Sequence, residues 1–169
     1  MITELDNYLN RLDDLHSQVS SLIAELPAEA LNWRPIEDKD NHVTNSLAVM
    51  AAHVAGAEHF WIAEVIGRQP ATRDRDAEFA TVAATPAELL QLLEKVSQET
   101  KEVLSALSES NLSETRQARD RTVAVRWVIL HVIDHTSLHL GHMQMTYQLW
   151  TGGKAVHSPL WTERLPQEK

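Results

Sequence analysis

The chain has 169 residues, carries 15 lysines and arginines against 24 acidic residues for a net charge of −9, and contains no cysteine. A single domain is the default at this length, since a chain of about 150 residues buries roughly 70 % of its unfolded surface. The acidic balance excludes a nucleic-acid binder, which needs a basic footprint, and the absence of cysteine excludes disulfides, thiolate metal ligands and an internal cysteine nucleophile.

No run approaches the roughly 18 apolar residues of a membrane span. The opening MITELDNYLNRLDDL is acidic and amphipathic rather than basic then apolar, so it does not read as a signal peptide. A cytoplasmic protein is the simplest expectation.

In chain order, Leu5, Tyr8, Leu9, Leu12, Leu15, Val19, Leu22, Ile23 and Leu26 recur at spacings of three and four, which predicts an amphipathic helix over about 2–26. A second helix starts after Thr44, Asn45 and Ser46, any of which can cap it, and runs over about 45–67 to a stop at Gly67. Thr85-Pro86 opens a third, over about 86–110, with Leu89, Leu93, Val96, Val103, Leu104 and Leu107 on its stripe. The fourth spans about 123–150 and ends at Gly152-Gly153, leaving 151–169 as a tail. No segment alternates with period two, so no strand is expected.

The expected architecture is an all-α four-helix bundle occupying 1–169 as one domain. Its linkers at 27–43 and 68–84 greatly exceed the 2–8 residues usual between antiparallel neighbours. Either can travel the length of the bundle at about 3.3 Å per residue. At least one crossover joining parallel helices is therefore allowed, and spacing does not say which linker makes it.

Four of the nine histidines, His131, His135, His139 and His142, fall within twelve residues. At about 100° per residue, the last three lie about 40°, 80° and 20° round the helix from His131, so all four share one face. Imidazoles at i and i+4 can converge on a metal ion. His131 and His139 are about 12 Å apart along the axis, so one helix supplies a third ligand with difficulty. The third ligand is therefore sought on the second helix. There His53 sits among small apolar residues, whereas His59 points about 120° away from it. His53, His135 and His139 are the candidate trio.

A single histidine on an apolar helix is more simply a hydrogen-bonded core residue, and the stripe as a whole is alternatively a polar network or a pH-sensitive contact. Four ionisable side chains on one stripe, however, have no packing advantage over leucine. Gly56 and Gly141, each within three residues of a candidate ligand, imply either close helix approach or ordinary tight packing.

LNWRP at 31–35, NSLAVMAAHVAGAEHFWI at 45–62, RDRDAEF at 73–79 and RWVILHVIDHTSLHLGHM at 126–143 together resemble the DinB-like superfamily, which includes bacillithiol- and mycothiol-dependent transferases. The last block is similar to that family's H-x-x-x-H signature. The resemblance covers nearly the whole chain. It implies a four-helix bundle with the long crossover between helices two and three, and a divalent metal held by His53, His135 and His139. His142 stands where many relatives carry glutamine, and His131 is an additional histidine. Either is a candidate fourth ligand, supporting group or substrate contact. Homodimerisation is implied only by the family.

Three neutral imidazoles leave a divalent ion with an open position, as in catalytic zinc sites. Zinc is the first choice, with nickel, iron and manganese compatible with the ligand type. With no cysteine in the chain, thiol chemistry would need a low-molecular-weight thiol, delivered to a small electrophile; hydrolysis of a small substrate is the sibling chemistry. The competing expectations are a non-catalytic small-molecule or stress-responsive binder, and a structural metal clamping two helices.

Among the remaining polar residues, Asp134 points away from the trio. Glu58 and Glu64 read as solvated surface, with the mouth of the site as the alternative. Arg73 and Arg75 read equally as solvated loop residues or as contacts to an anionic substrate. Trp33, Trp61, Trp127, Trp150 and Trp161 read as core and interface anchors. No P-loop, nucleophile elbow, H-E-x-x-H or dinucleotide fingerprint is present.

Overall fold

The computed structural model describes residues 3–36 and 44–153. The expected tail beyond 153, with Trp161, and the centre of the first linker lie outside the described residues. Helix α1 (Glu4–Ile23) begins at a reciprocal cap, in which Thr3 Oγ1 accepts from the Asp6 amide and Asp6 accepts from the Thr3 amide. After a short α2 (Ala28–Asn32), α3 (Leu47–Glu58) starts at Ser46, so among the three candidates it is this hydroxyl that caps, accepting from the Val49 amide at 3.2 Å. The short α4 (Arg75–Phe79) lies within the next linker, followed by α5 (Pro86–Ser105) and α6 (Val125–Trp150).

Three contacts fix the relation of α3 to α5. Glu58 meets Thr100 at 2.5 Å, His59 meets Glu99 at 2.7 Å, and a Cβ on Gly67 would meet Val103 at 2.9 Å. Numbers rise together along both helices, so the two run parallel and the segment between them returns the length of the bundle. Helix α1 runs against α5, with Asp13 at Lys101 and Glu4 at Glu109, just beyond the end of α5. Helix α6 runs against α3, with Trp127 at Trp61 and His135 at His53. The result is the all-α four-helix bundle with the crossover between the second and third long helices.

Leu15, Val19 and Ile23 of α1 are almost completely buried in one apolar cluster with Leu47 of α3, and Leu12 in another with Leu104 of α5 and Ile129 of α6. Burial of each such side chain contributes about 1.5–3 kcal/mol. Among the described residues, no helix is long and apolar enough to cross a membrane.

Three local expectations are corrected. Residues His59–Ile66 continue α3 as a π-helix, closed by the Gly67 amide donating to the Ile62 carbonyl at 2.8 Å. The third long helix stops at Ser105 rather than near 110, because Ser108 and Asn111 bond locally and cap a separate 3-10 turn over Glu109–Ser113. Finally, two strands do form: β1 (Thr115–Ala118) pairs antiparallel with β2 (Arg121–Ala124), so α6 begins at Val125 rather than 123. Each strand has only four residues and lacks an alternating apolar pattern. The two-residue connection carries Arg119 at φ 54° where glycine is the common occupant.

Candidate metal centre

His53 projects from the middle of α3, 8 % exposed, toward the face of α6 that carries the histidine stripe. Its Nε2 lies 3.2 Å from Nε2 of His135, and its ring lies 5.0 Å from both the His135 and His139 rings. One ring nitrogen from each of the three falls within 4.8 Å of the others, and among the described residues this is the group that could hold a metal ion. Ligand atoms about 2.0–2.1 Å from a tetrahedral zinc are about 3.3 Å apart, so the closest imidazole pair already has the separation such an ion requires.

The other ring nitrogen of His53 is fixed from behind. Nδ1 donates to Glu78 Oε2 at 2.8 Å, which leaves the Nε2 lone pair facing the other two imidazoles. Glu78 is itself 7 % exposed and gripped by Arg73, with Nε on Oε1 at 2.6 Å and Nη2 on Oε2 at 2.9 Å. The chain Arg73–Glu78–His53 thus runs from the crossover through α4 to the imidazole cluster. Glu78 was not singled out from the sequence; the Arg73–Glu78 spacing within the RDRDAEF block was the available signal.

Burial, reinforced by neighbouring imidazoles, lowers the His135 pKa to about 3, and burial with His53 and His142 lowers that of His139 to about 4. Both are neutral at pH 7, as metal ligands must be. Nδ1 of His139 is buried without a hydrogen-bond partner. Three facing imidazoles with an unpartnered buried ring nitrogen among them are costly as a packing arrangement and suited to a cation.

His131 and His142 do not join the group. The His131 ring is 6.0 Å from that of His135 and stacks on Trp127, 5.0 Å away and 4° from parallel. Burial lowers its pKa, opposed by the charge of Asp134. His142 is exposed and meets His139 edge-on at 5.6 Å. Both flank the trio at the protein surface.

Glu58 and Glu64 are not surface carboxylates. Glu58 is 1 % exposed and binds His16 Nε2 at 2.7 Å and the Thr100 hydroxyl, forming a second buried polar group apart from the imidazoles. Glu64 accepts the backbone amides of Thr72 and Arg73 at 2.6 and 2.8 Å, which pins the start of the crossover. Of the two glycines, Gly56 is the site of close approach, to Glu78, whereas a Cβ on Gly141 would meet nothing within 4 Å. Trp127 is 48 % exposed and so is not a core anchor.

No curated protein matches the chain. Its fold is similar to that of a conserved protein from Enterococcus faecalis, at 18 % identity and a TM-score of 0.71, covering 90 % of this chain and 99 % of the other. It is also similar to a DinB-like protein from Bacillus cereus ATCC 10987, at 15 % identity and a TM-score of 0.72, covering 94 % and 100 %. A DinB-like protein from Bacillus subtilis is more distant, at 13 % identity and a TM-score of 0.60, covering 90 % and 94 %. With the family model of the DinB superfamily matching residues 11–143, over a bundle whose facing helices bring three histidines together, the chain belongs to the DinB superfamily.

Proposed function

We propose that the chain is a divalent-metal-dependent enzyme that transfers a low-molecular-weight thiol to a small electrophile or hydrolyses a small substrate. The observation that carries this reading is the convergence of His53, His135 and His139, with His135 and His139 held neutral at pH 7. The three would hold the ion, and Glu78 would keep His53 in the tautomer that presents Nε2. A divalent ion here, zinc in the first instance, supplies a Lewis acid that lowers the pKa of a water or thiol.

Because the chain has no cysteine, the sulfur comes from a cosubstrate. Its S–H proton is lost and the sulfur forms a bond to an electrophilic carbon. The leaving group departs with its electron pair and is protonated from solvent. The chain's own part is to orient: Arg73 and Glu78 hold His53, while the flank bearing half-buried His131 and exposed His142 leaves access from one side.

Elemental analysis of protein purified without a histidine tag, beside the His135→Ala/His139→Ala variant, tests the reading. Near-stoichiometric metal in the parent and none in the variant is expected, followed by metal-dependent thiol consumption with a panel of electrophiles. A parent that takes up no Zn²⁺, Ni²⁺, Fe²⁺ or Mn²⁺ overturns it. Stoichiometric metal with neither thiol transfer nor hydrolysis makes the site a non-catalytic binder.

A further inference from the structure

We infer that a cavity beside the imidazole cluster, walled by arginines and aromatic rings, binds the anionic end of a small organic substrate. That this substrate reacts at the imidazoles rests on the proposed function; that the cavity selects an anion does not.

The cavity has a volume of about 320 Å³ and lies between the start of α4, the β1–β2 turn and the first turn of α6. This is the lower end of the size range for small-molecule sites, about 300–1,000 Å³. Arg73, Arg75, Arg119 and Arg121 line it, and among the described residues Asp120 is the sole acidic one that does. In a chain of net charge −9, four of the 15 basic residues converge on this one space.

Their pairing separates them. Arg73 is committed to Glu78, and Arg121 lies 3.6 Å from Asp120. Arg75 and Arg119 have no carboxylate partner among the described residues. Their guanidinium groups rest instead over aromatic rings, Arg75 on Phe79 at 4.8 Å and Arg119 on Phe60 at 5.5 Å. A guanidinium held over a ring without a carboxylate partner keeps N–H groups for an anion, and its planar fork can receive a carboxylate or phosphate in two parallel hydrogen bonds.

A second observation is independent of charge. Arg119 adopts φ 54°, a conformation that disfavours a side chain by about 1–2 kcal/mol and that glycine accepts freely. Its position in the tight turn carries the side chain back over Phe60, into the cavity wall.

The remaining wall leads toward the imidazoles. Trp127 and Trp61 line the cavity, and both rings touch His131, at 5.0 Å each. An organic body laid on these indoles has its anion at Arg75 and Arg119 and its far end toward His131 and His135. The site therefore fits a carboxylate or phosphate ester with a flat or apolar body.

The test uses full-length protein stripped of metal by a chelator that is then dialysed away, titrated calorimetrically with benzoate, phenyl phosphate, inorganic phosphate and the neutral isostere benzamide. Benzoate and phenyl phosphate are expected to bind, with benzamide and inorganic phosphate at least tenfold weaker. Arg75→Gln/Arg119→Gln should weaken both organic anions at least tenfold while melting as the parent does. Equal binding of benzamide, unchanged affinity in the double variant, or no binding of either organic anion at millimolar concentration overturns the inference. The His135→Ala/His139→Ala variant should still bind the anions, so failure of the metal site and failure of this cavity give different results.

Discussion

Glu78 occupies the space that a side chain on Gly56 would need. A Cβ on Gly56 would lie 2.1 Å from Glu78 Oε1 and 2.5 Å from its carboxyl carbon. Replacing an interior helical glycine by alanine ordinarily stabilises by about 0.5–1 kcal/mol. Here Glu78 cannot yield cheaply, because both carboxylate oxygens are held, by Arg73 and by His53. Gly56→Ala is therefore expected to leave the melting temperature unchanged or lower and to weaken metal uptake about tenfold, by freeing the His53 ring. A competition titration against a chromogenic chelator and a calorimetric melt of the same preparation check both halves. A variant that melts higher and binds metal like the parent would show that the close approach does not matter.

Glu78, which holds His53 from behind, and His135, which faces it, should fail differently. Glu78→Gln keeps the shape but leaves Arg73, whose side chain is 11 % exposed, facing a neutral amide. Breaking a buried pair by removing one charge costs on the order of 3 kcal/mol, and loss of an orienting partner costs about 10–100-fold in metal affinity. His135→Ala removes a candidate ligand but breaks no ion pair. Its metal-free form should unfold within about 1 kcal/mol of the parent while metal uptake is lost. Denaturant titrations in chelator, set beside metal titrations, separate the two; equal destabilisation by both variants would contradict the assigned roles.

The buried group of His16, Glu58 and Thr100 gives a pH dependence of its own. Desolvation alone would lower the His16 pKa, but the hydrogen bond and charge of Glu58, aided by Asp13 and opposed by Lys101, outweigh it and raise the pKa above 6.5. The stabilisation is therefore complete below about pH 6.5 and is lost as pH rises through the raised folded value. His135 and His139 act in the opposite window. Their folded pKa values of about 3 and about 4 make stability climb as pH rises toward 6.5, because the unfolded chain takes up protons that the folded chain refuses. Urea unfolding of metal-free protein across this range should show a fall on the alkaline side that His16→Gln removes. An unchanged alkaline slope in that variant would exclude His16 as its source.

The long helices were legible because each must present one apolar stripe to a common core, and the spacing of Leu5, Leu12, Leu15 and Val19 states that stripe locally. The imidazole trio was legible for a related reason: i, i+4 spacing places His135 and His139 together before any packing is known. Glu78 was not, since its link to His53 spans 25 residues and depends on how α4 docks. Glu58 and Glu64 read as solvated because carboxylates usually are. What buries them is His16 and Thr100 on other helices in one case, and two backbone amides of the crossover in the other. The β1–β2 hairpin escaped because Arg119 stands where its turn would have advertised a glycine.

That substitution can be reversed. Arg119→Gly removes the left-handed strain, worth about 1–2 kcal/mol, but forfeits contact with Phe60, worth about 0.5 kcal/mol at an exposed site, and makes the unfolded chain freer. Thermodynamic stability should therefore hold level or rise slightly, by up to about 1 kcal/mol. Affinity for benzoate should move the other way, falling several-fold with the loss of one unpaired guanidinium. Chemical denaturation and calorimetric titration of the same variant read the two effects. A stability gain joined to an affinity loss means the arginine is kept at a strained position for the ligand it meets. A stability loss with affinity intact would make it a structural residue and leave Arg75 without its partner in binding the anion.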